Sequence, residues 1–129
     1  VNSTLIKLSK RGLKLGVLSD APSREAWMRI YYVNLHHTFD AVVTYDDTGK
    51  TKPSPEPFLK VCDRLNINPE DSIMVGDWPD RDIVGAKDVG MLTAFAKYGD
   101  SFDTIHSKAD YDLECISDIL DIIKKINKT

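Results

Sequence analysis

MVGDWPDRDIVGAKDVG, residues Met74 to Gly90, passes in seventeen positions from an apolar run to a helical pattern, and places Asp77, Asp80 and Asp82 at the junction. The run Ser72–Gly76 (SIMVG) is short and apolar and reads as a buried strand. From Asp80 the pattern turns helical and closes at Gly90, the residue type that best tolerates a left-handed helix stop. A strand running straight into a helix through an acidic turn is the basic unit of an α/β domain.

Working outward, the same alternation recurs. Upstream, Pro55 opens a predicted helix with Phe58, Cys62 and Leu65 on one stripe, after a loop, GKTKPSP, in which three of seven residues are Gly or Pro. FDAVVTYDD reads as a short strand. Pro22 and Ser23 open a helix predicted to carry Trp27, Ile30 and Tyr31 on one face, and Leu13 to Leu18 form an apolar strand that runs into Ser19 and Asp20. A first helix is predicted from Val1, Leu5 and Leu8 and ends near Gly12. Downstream, MLTAFA is another strand, and Ile116, Ile119, Leu120, Ile123 and Ile126 give a closing helix. Strands separated by helices imply an α/β fold with a mainly parallel sheet covered on both faces. No repeat, low-complexity tract or linker divides residues 1–129, which are expected to form a single domain.

The 129 residues are enough for one core, burying about two-thirds of the surface exposed when unfolded. Lys and Arg number 17 against 20 Asp and Glu, for a net charge of -3, and no basic run exceeds a pair such as Lys124-Lys125. Nucleic acid and membrane surfaces are therefore not expected partners. No apolar run approaches the roughly 18 residues of a membrane span, and the early charges do not fit a signal peptide, so a soluble, cytoplasmic protein is expected. Cys62 and Cys115 have no metal-ligand spacing and read as reduced, packed thiols.

In an open parallel sheet, ligands bind beyond the carboxyl ends of the strands. The residues there are Ser19 and Asp20, then Lys52 in its loop, then Asp77. A hydroxyl, an ammonium and a carboxylate on one rim can donate to phosphate oxygens, neutralise their charge and hold Mg2+, which takes one or two carboxylates and otherwise water or phosphate. Asp82, five positions after Asp77, is spaced to reach the same ion or its water shell, and Asp80 is expected to cap the helix.

These residues resemble those of the haloacid dehalogenase superfamily, over about Leu5 to Tyr98. Ser19, ending LGVLSD, matches its second motif; Lys52, in KPSPEPF, matches the third; Asp77 and Asp82, in GDWPDRDIVGA, match the fourth. The resemblance implies a Rossmann-like three-layer α/β/α core. It also implies a Mg2+-dependent phosphatase acting on a small phosphate monoester, with Ser19 and Lys52 on the substrate and assisting catalysis, and Asp77 and Asp82 on the metal; Asp20, from its place at the end of the same strand as Ser19, is a further candidate for substrate binding. The family's first motif, Asp-x-Asp, has no counterpart ahead of Ser19, and the inserted cap is absent as well. In the family the strand bearing that motif lies between those ending at Ser19 and Asp77. Without it, two rows of backbone groups are expected to face each other across a gap of one strand, each buried orphan costing about 1 to 3 kcal/mol.

The leading expectation is that the chain is part of a longer protein whose other segment supplies the strand and the nucleophile, and that alone it is inactive. Strand exchange with a second copy and direct closure of the sheet are the alternatives. A non-catalytic phosphate-binding or interaction module is the alternative function, and dehalogenase chemistry a further one, disfavoured by the complete acidic pair. A receiver domain presents its aspartate before the hydroxyl and the lysine, whereas Ser19 and Lys52 precede Asp77 here. Taken alone, Asp20, Asp46 and Asp47 read as turn and loop charges, and His36 and His37 as surface residues. Trp27, Tyr31 and Tyr32 read as core or cap-facing packing. Trp78, beside Asp77, is expected to narrow the site or cover a gap.

Overall fold

The structure, a computed structural model, describes residues 2–127; the place of Val1 in the first helical stripe lies outside the described residues. Eleven α and β elements follow in order: α1 (Asn2–Lys10), β1 (Gly16–Leu18), α2 (Ser23–Tyr32), β2 (Ala41–Val43), α3 (Tyr45–Thr48), α4 (Pro55–Leu65), β3 (Ile73–Gly76), α5 (Val84–Asp88), β4 (Leu92–Ala96), β5 (Tyr111–Leu113) and α6 (Asp118–Asn127). Their limits follow local chemistry. Pro55 occupies the first turn of α4, where its missing N–H has no helical partner to lose, and Asn66 ends that helix at φ 56°. Thr44 and Asp47 bond each other's backbone N–H in a capping box that starts α3. Gly90 closes the segment after α5 at φ +91°.

Every strand pair is parallel. β1 pairs with β2 in the register Gly16–Ala41 to Leu18–Val43. β3 pairs with β4 from Ile73–Leu92 to Gly76–Phe95, and β4 pairs with β5 from Ala94–Tyr111 to Ala96–Leu113. These ladders form two sheets, β1-β2 and β3-β4-β5, with no pairing between β1 and β3. Helices cover both faces. On one, Val43, Phe58, Val61, Cys62, Leu65, Ala86 and Met91 form a core that Leu18 and Met74 join. On the other, Leu8, Ala94, Leu113, Ile119 and Ile122 form a second core, joined by Leu15, Ile73 and Val75. Met74 on one face with Ile73 and Val75 on the other is the two-residue alternation of a strand buried from both sides.

Between β1 and β3 lies a cavity of about 580 Å³ walled by residues 16–18 and 73–75, with Leu8 and Ile119 behind one face and Val61 and Leu65 behind the other. The sheet has not closed directly. Leu15 and Ser19 spend their backbone groups on the β2 side, through Asp40, Ala41 and Val43, so by alternation Gly16 and Leu18 turn theirs to the cavity. Ser72 accepts from Leu92 on the β4 side, which turns Ile73 and Val75 to the cavity as well.

Four expectations need correction. β1 covers only Gly16–Leu18 of the apolar stretch from Leu13, because a strand with a partner on one side is held only where that partner reaches. The buried face of α2 is Ala26 and Ile30; Trp27, Tyr31 and Tyr32 are exposed, with Tyr31 stacked on His36 at 4.3 Å. Ile116 precedes α6, and Ile122 takes a core place with Ile119. Cys115 is exposed, while Cys62 is packed as expected, its thiol raised by burial. β5 had no counterpart in the sequence reading; Asp110 pins it to β4 by accepting from Thr93 N–H at 2.9 Å and from its hydroxyl at 3.0 Å.

Candidate active site

Ser19 leaves β1 with its N–H donating to Val43 O at 2.9 Å, and its hydroxyl accepts from Ala21 N–H at 3.1 Å, which turns the chain sharply. The turn aims Asp20 across the strand ends. One Asp20 oxygen accepts the backbone N–H of Lys52 at 2.8 Å and the other accepts from Arg81 at 3.2 Å. The Lys52 loop is anchored a second time from below. The Phe58 ring, fully buried, and Pro53 both lie where a side chain at position 85 would stand, so Gly85 is the residue that lets α4, α5 and the loop meet. The Lys52–Pro53 peptide is cis.

Lys52 reaches Asp82 at 2.7 Å, with side-chain exposures of 14% and 6%. The ammonium approaches Asp82 Oδ1 off the hydrogen-bonding direction, so charge rather than a directed bond compensates that buried oxygen. Asp82 Oδ2 accepts the N–H of Trp78 at 3.1 Å. A Cβ at position 76 would collide with this carboxylate, so Gly76 gives β3 the close approach that seats Asp82 at its end. Asp80 does not cap as expected: the helical turn Pro79–Ile83 opens with no side-chain cap, and Asp80 is exposed.

Asp77 lies elsewhere. It is exposed, and its carboxylate packs against Gly99 in the turn after β4, where a Cβ would strike it. The phenol of Tyr98 in that turn is raised first by its own burial and then by the negative charge of Asp77. Of the two aspartates expected on the metal, Asp82 is the buried one and Asp77 the exposed one. The structure thus joins Asp20, Lys52 and Asp82 in one network, leaves the Ser19 hydroxyl beside it at the end of β1, and sets Asp77 on the β4 side of the end of β3.

Among the described residues no three His, Cys, Asp or Glu side chains gather around a common point for a metal ion. Asp77 and Asp82 remain hard-oxygen donors of the type and number that Mg2+ takes from a protein. Two further rim residues were not foreseen. Arg81 lies with its guanidinium carbon 4.0 Å from the centre of the Trp78 ring, and Phe102 tilts against that ring at 5.2 Å between centroids. A lone cation among Asp77, Asp80 and Asp82 was the sequence signal for Arg81; Phe102, over twenty positions downstream, had none.

With this geometry in view, the comparisons with known proteins are specific. Residues 1–96 match the model of the haloacid dehalogenase-like hydrolase family. A glyceraldehyde 3-phosphate phosphatase of Methanocaldococcus jannaschii is 35% identical over 97% of this chain and 55% of its own length. A pyrophosphatase of Bacillus mycoides is 35% identical over 98% of this chain and 60% of its own. In three dimensions, a HAD phosphatase from Thermococcus onnurineus superposes with a TM-score of 0.84 at 33% identity, over 94% of this chain and 55% of that one. The chain spans a little over half the length of the curated relatives it matches. The family match over residues 1–96 and these likenesses agree: the chain belongs to the haloacid dehalogenase-like hydrolase family.

Proposed function

We propose that this chain is the single core domain of a Mg2+-dependent phosphatase for small phosphate monoesters, and that its nucleophile comes from a segment outside the chain. The observation that carries the reading is the Lys52–Asp82 pair at the strand ends, 2.7 Å apart and nearly enclosed, held from β1 through Asp20. A half-buried ammonium at the mouth of a parallel sheet, held in place by Asp82, can offer its remaining donors to an incoming anion where charge is screened less than in bulk water. Ser19 would donate its hydroxyl to one phosphoryl oxygen, Lys52 would hold another, and the Asp20 carboxylate keeps the Lys52 loop in register. Asp77 and Asp82 would hold Mg2+, which supplies charge neutralisation at the phosphoryl group when bound. Both named relatives act on phosphorylated or diphosphate compounds, in keeping with this chemistry. The cavity between β1 and β3 is the natural seat for the strand that carries the nucleophile, supplied by the rest of a longer protein or by a second copy. Two free thiols suit the reducing cytoplasm.

The test is hydrolysis of para-nitrophenyl phosphate in Mg2+, by this chain alone and after addition of a peptide carrying the family's Asp-x-Asp strand. Turnover that requires both peptide and Mg2+ and is lost in Lys52→Ala supports the proposal. Turnover by the chain alone that survives Asp77→Asn removes the metal assignment. Phosphate binding with no turnover under any complementation favours the non-catalytic module.

A further inference from the structure

We infer that Arg81 selects the substrate by binding a second anionic group, a carboxylate or a further phosphate, on a molecule whose first phosphate rests on Ser19 and Lys52. The inference deepens the phosphatase reading and rests on it. Arg81 stands one carboxylate away from that site: its NH1 is 3.2 Å from one oxygen of Asp20, whose other oxygen takes the Lys52 N–H at 2.8 Å.

The guanidinium is already oriented. Its face lies 4.0 Å from the Trp78 ring centre, and Phe102 braces that ring, so the plane of the fork is set before any ligand arrives. Of the five guanidinium N–H donors, only one on NH1 has a side-chain acceptor among the described residues. The rest of the fork is free for the paired hydrogen bonds that a carboxylate or phosphate accepts.

The two cations of the rim differ in how firmly they are held. Lys52 is committed to an enclosed Asp82. Arg81 pairs with Asp20 at side-chain exposures of 39% and 20%, where water competes for both partners and the pair is weak. An incoming anion can therefore replace Asp20 on Arg81 at little cost, whereas it cannot replace Asp82 on Lys52 without leaving a buried charge unpaired.

The test uses two hydrolysis-proof ligands that differ only in the second anion: phosphonoacetate and methylphosphonate. Each is titrated into the chain at constant Mg2+, and the Trp78 indole N–H is followed by nuclear magnetic resonance. Phosphonoacetate is expected to bind at least about tenfold more tightly, with the indole signal shifting, as one charge-assisted bidentate contact would give. Arg81→Gln brings the affinity ratio to about one. Arg81→Lys, which keeps the charge and loses the fork, gives an intermediate ratio. A ratio near one in the unsubstituted chain, or one unchanged in Arg81→Gln, overturns the inference and leaves the phosphate site standing. Binding of neither phosphonate overturns both.

Discussion

β3 and β4 are neighbours in one sheet, with similarly apolar sequences and opposite fates. In β4 the last four of five residues are buried, whereas all four residues of β3 are only half-buried. β4 is flanked by β3 and β5; β3 has β4 on one side and the cavity on the other. β1, walled by the same cavity, begins with an exposed Gly16 and ends with half-buried Val17 and Leu18. The number of flanking strands, more than composition, decides how far a parallel strand leaves water. The molecule is therefore a finished half, β4 with β5, joined to a half whose apolar walls face a space.

The largest expected effect sets these halves against each other. Phe95 in β4 is 2% exposed, and Phe95→Ala should cost about 3 to 5 kcal/mol in urea unfolding. Val75→Ala on the cavity wall of β3 should cost less than about 1.5 kcal/mol, because the side chain already lacks partners on one side. Equal losses would mean that the space is closed in solution. A Val75 loss that grows on adding a complementing strand would show that the wall has gained a partner.

Next in size is the contrast between the rim's two ion pairs. Lys52→Ala leaves Asp82 buried beside no cation and should cost about 3 kcal/mol. Arg81→Ala removes a partly exposed pair and should cost no more than about 1 kcal/mol, including its share of Trp78 packing. Similar losses in the two variants would overturn the distinction between a committed and an exchangeable cation.

How far the sequence discloses this arrangement depends on whether a feature is local or relational. α4 was legible because Pro55, the stripe Phe58, Cys62, Leu65 and the stop at Asn66 lie within one helix. β3 and β4 were legible as apolar runs between turns. β5 was not, since Tyr111, Asp112 and Leu113 make a strand only through register with β4 and the Asp110–Thr93 bonds, contacts across 17 positions. In the site, Lys52 and Asp82 stand out in the sequence and meet in the structure, but the sequence does not show which aspartate is buried. That choice depends on Gly76, whose missing side chain admits Asp82, and on Gly99, whose missing side chain admits Asp77 on the far side. Trp27 and Tyr31 misled because helical spacing gives a face but not the element that covers it.

A smaller effect concerns acid stability in the β1-β2 half. The Asp47 carboxyl is held below its ordinary 3.8, first by the hydrogen bond from Arg64, with Thr44 adding to it. A lowered folded-state value favours the charged form, so the contribution is present above the ordinary carboxylate range and lost as pH falls through the lowered value. The difference in melting temperature between the unsubstituted chain and Asp47→Asn should be full at neutral pH and shrink below about pH 4. A difference that persists at lower pH would place its origin in the α3 cap geometry rather than in charge.

The smallest effect reports on the end of β3, where the two halves meet. Tyr98 is raised from its ordinary 10.0 first by burial and second by the charge of Asp77, so Asp77→Asn should lower its phenol value part of the way back and no further. Ultraviolet titration of the chain and of its Tyr98→Phe variant isolates this phenol from the other tyrosines. No change in Asp77→Asn would mean that the carboxylate has left Gly99 and turned toward the cavity. Adding Mg2+ sharpens the comparison: if the ion draws Asp77 toward Asp82, the Tyr98 value falls in the unsubstituted chain and not in Asp77→Asn. A phenol on the finished half then reads out the occupancy of a site on the open one, because one exposed carboxylate stands between them.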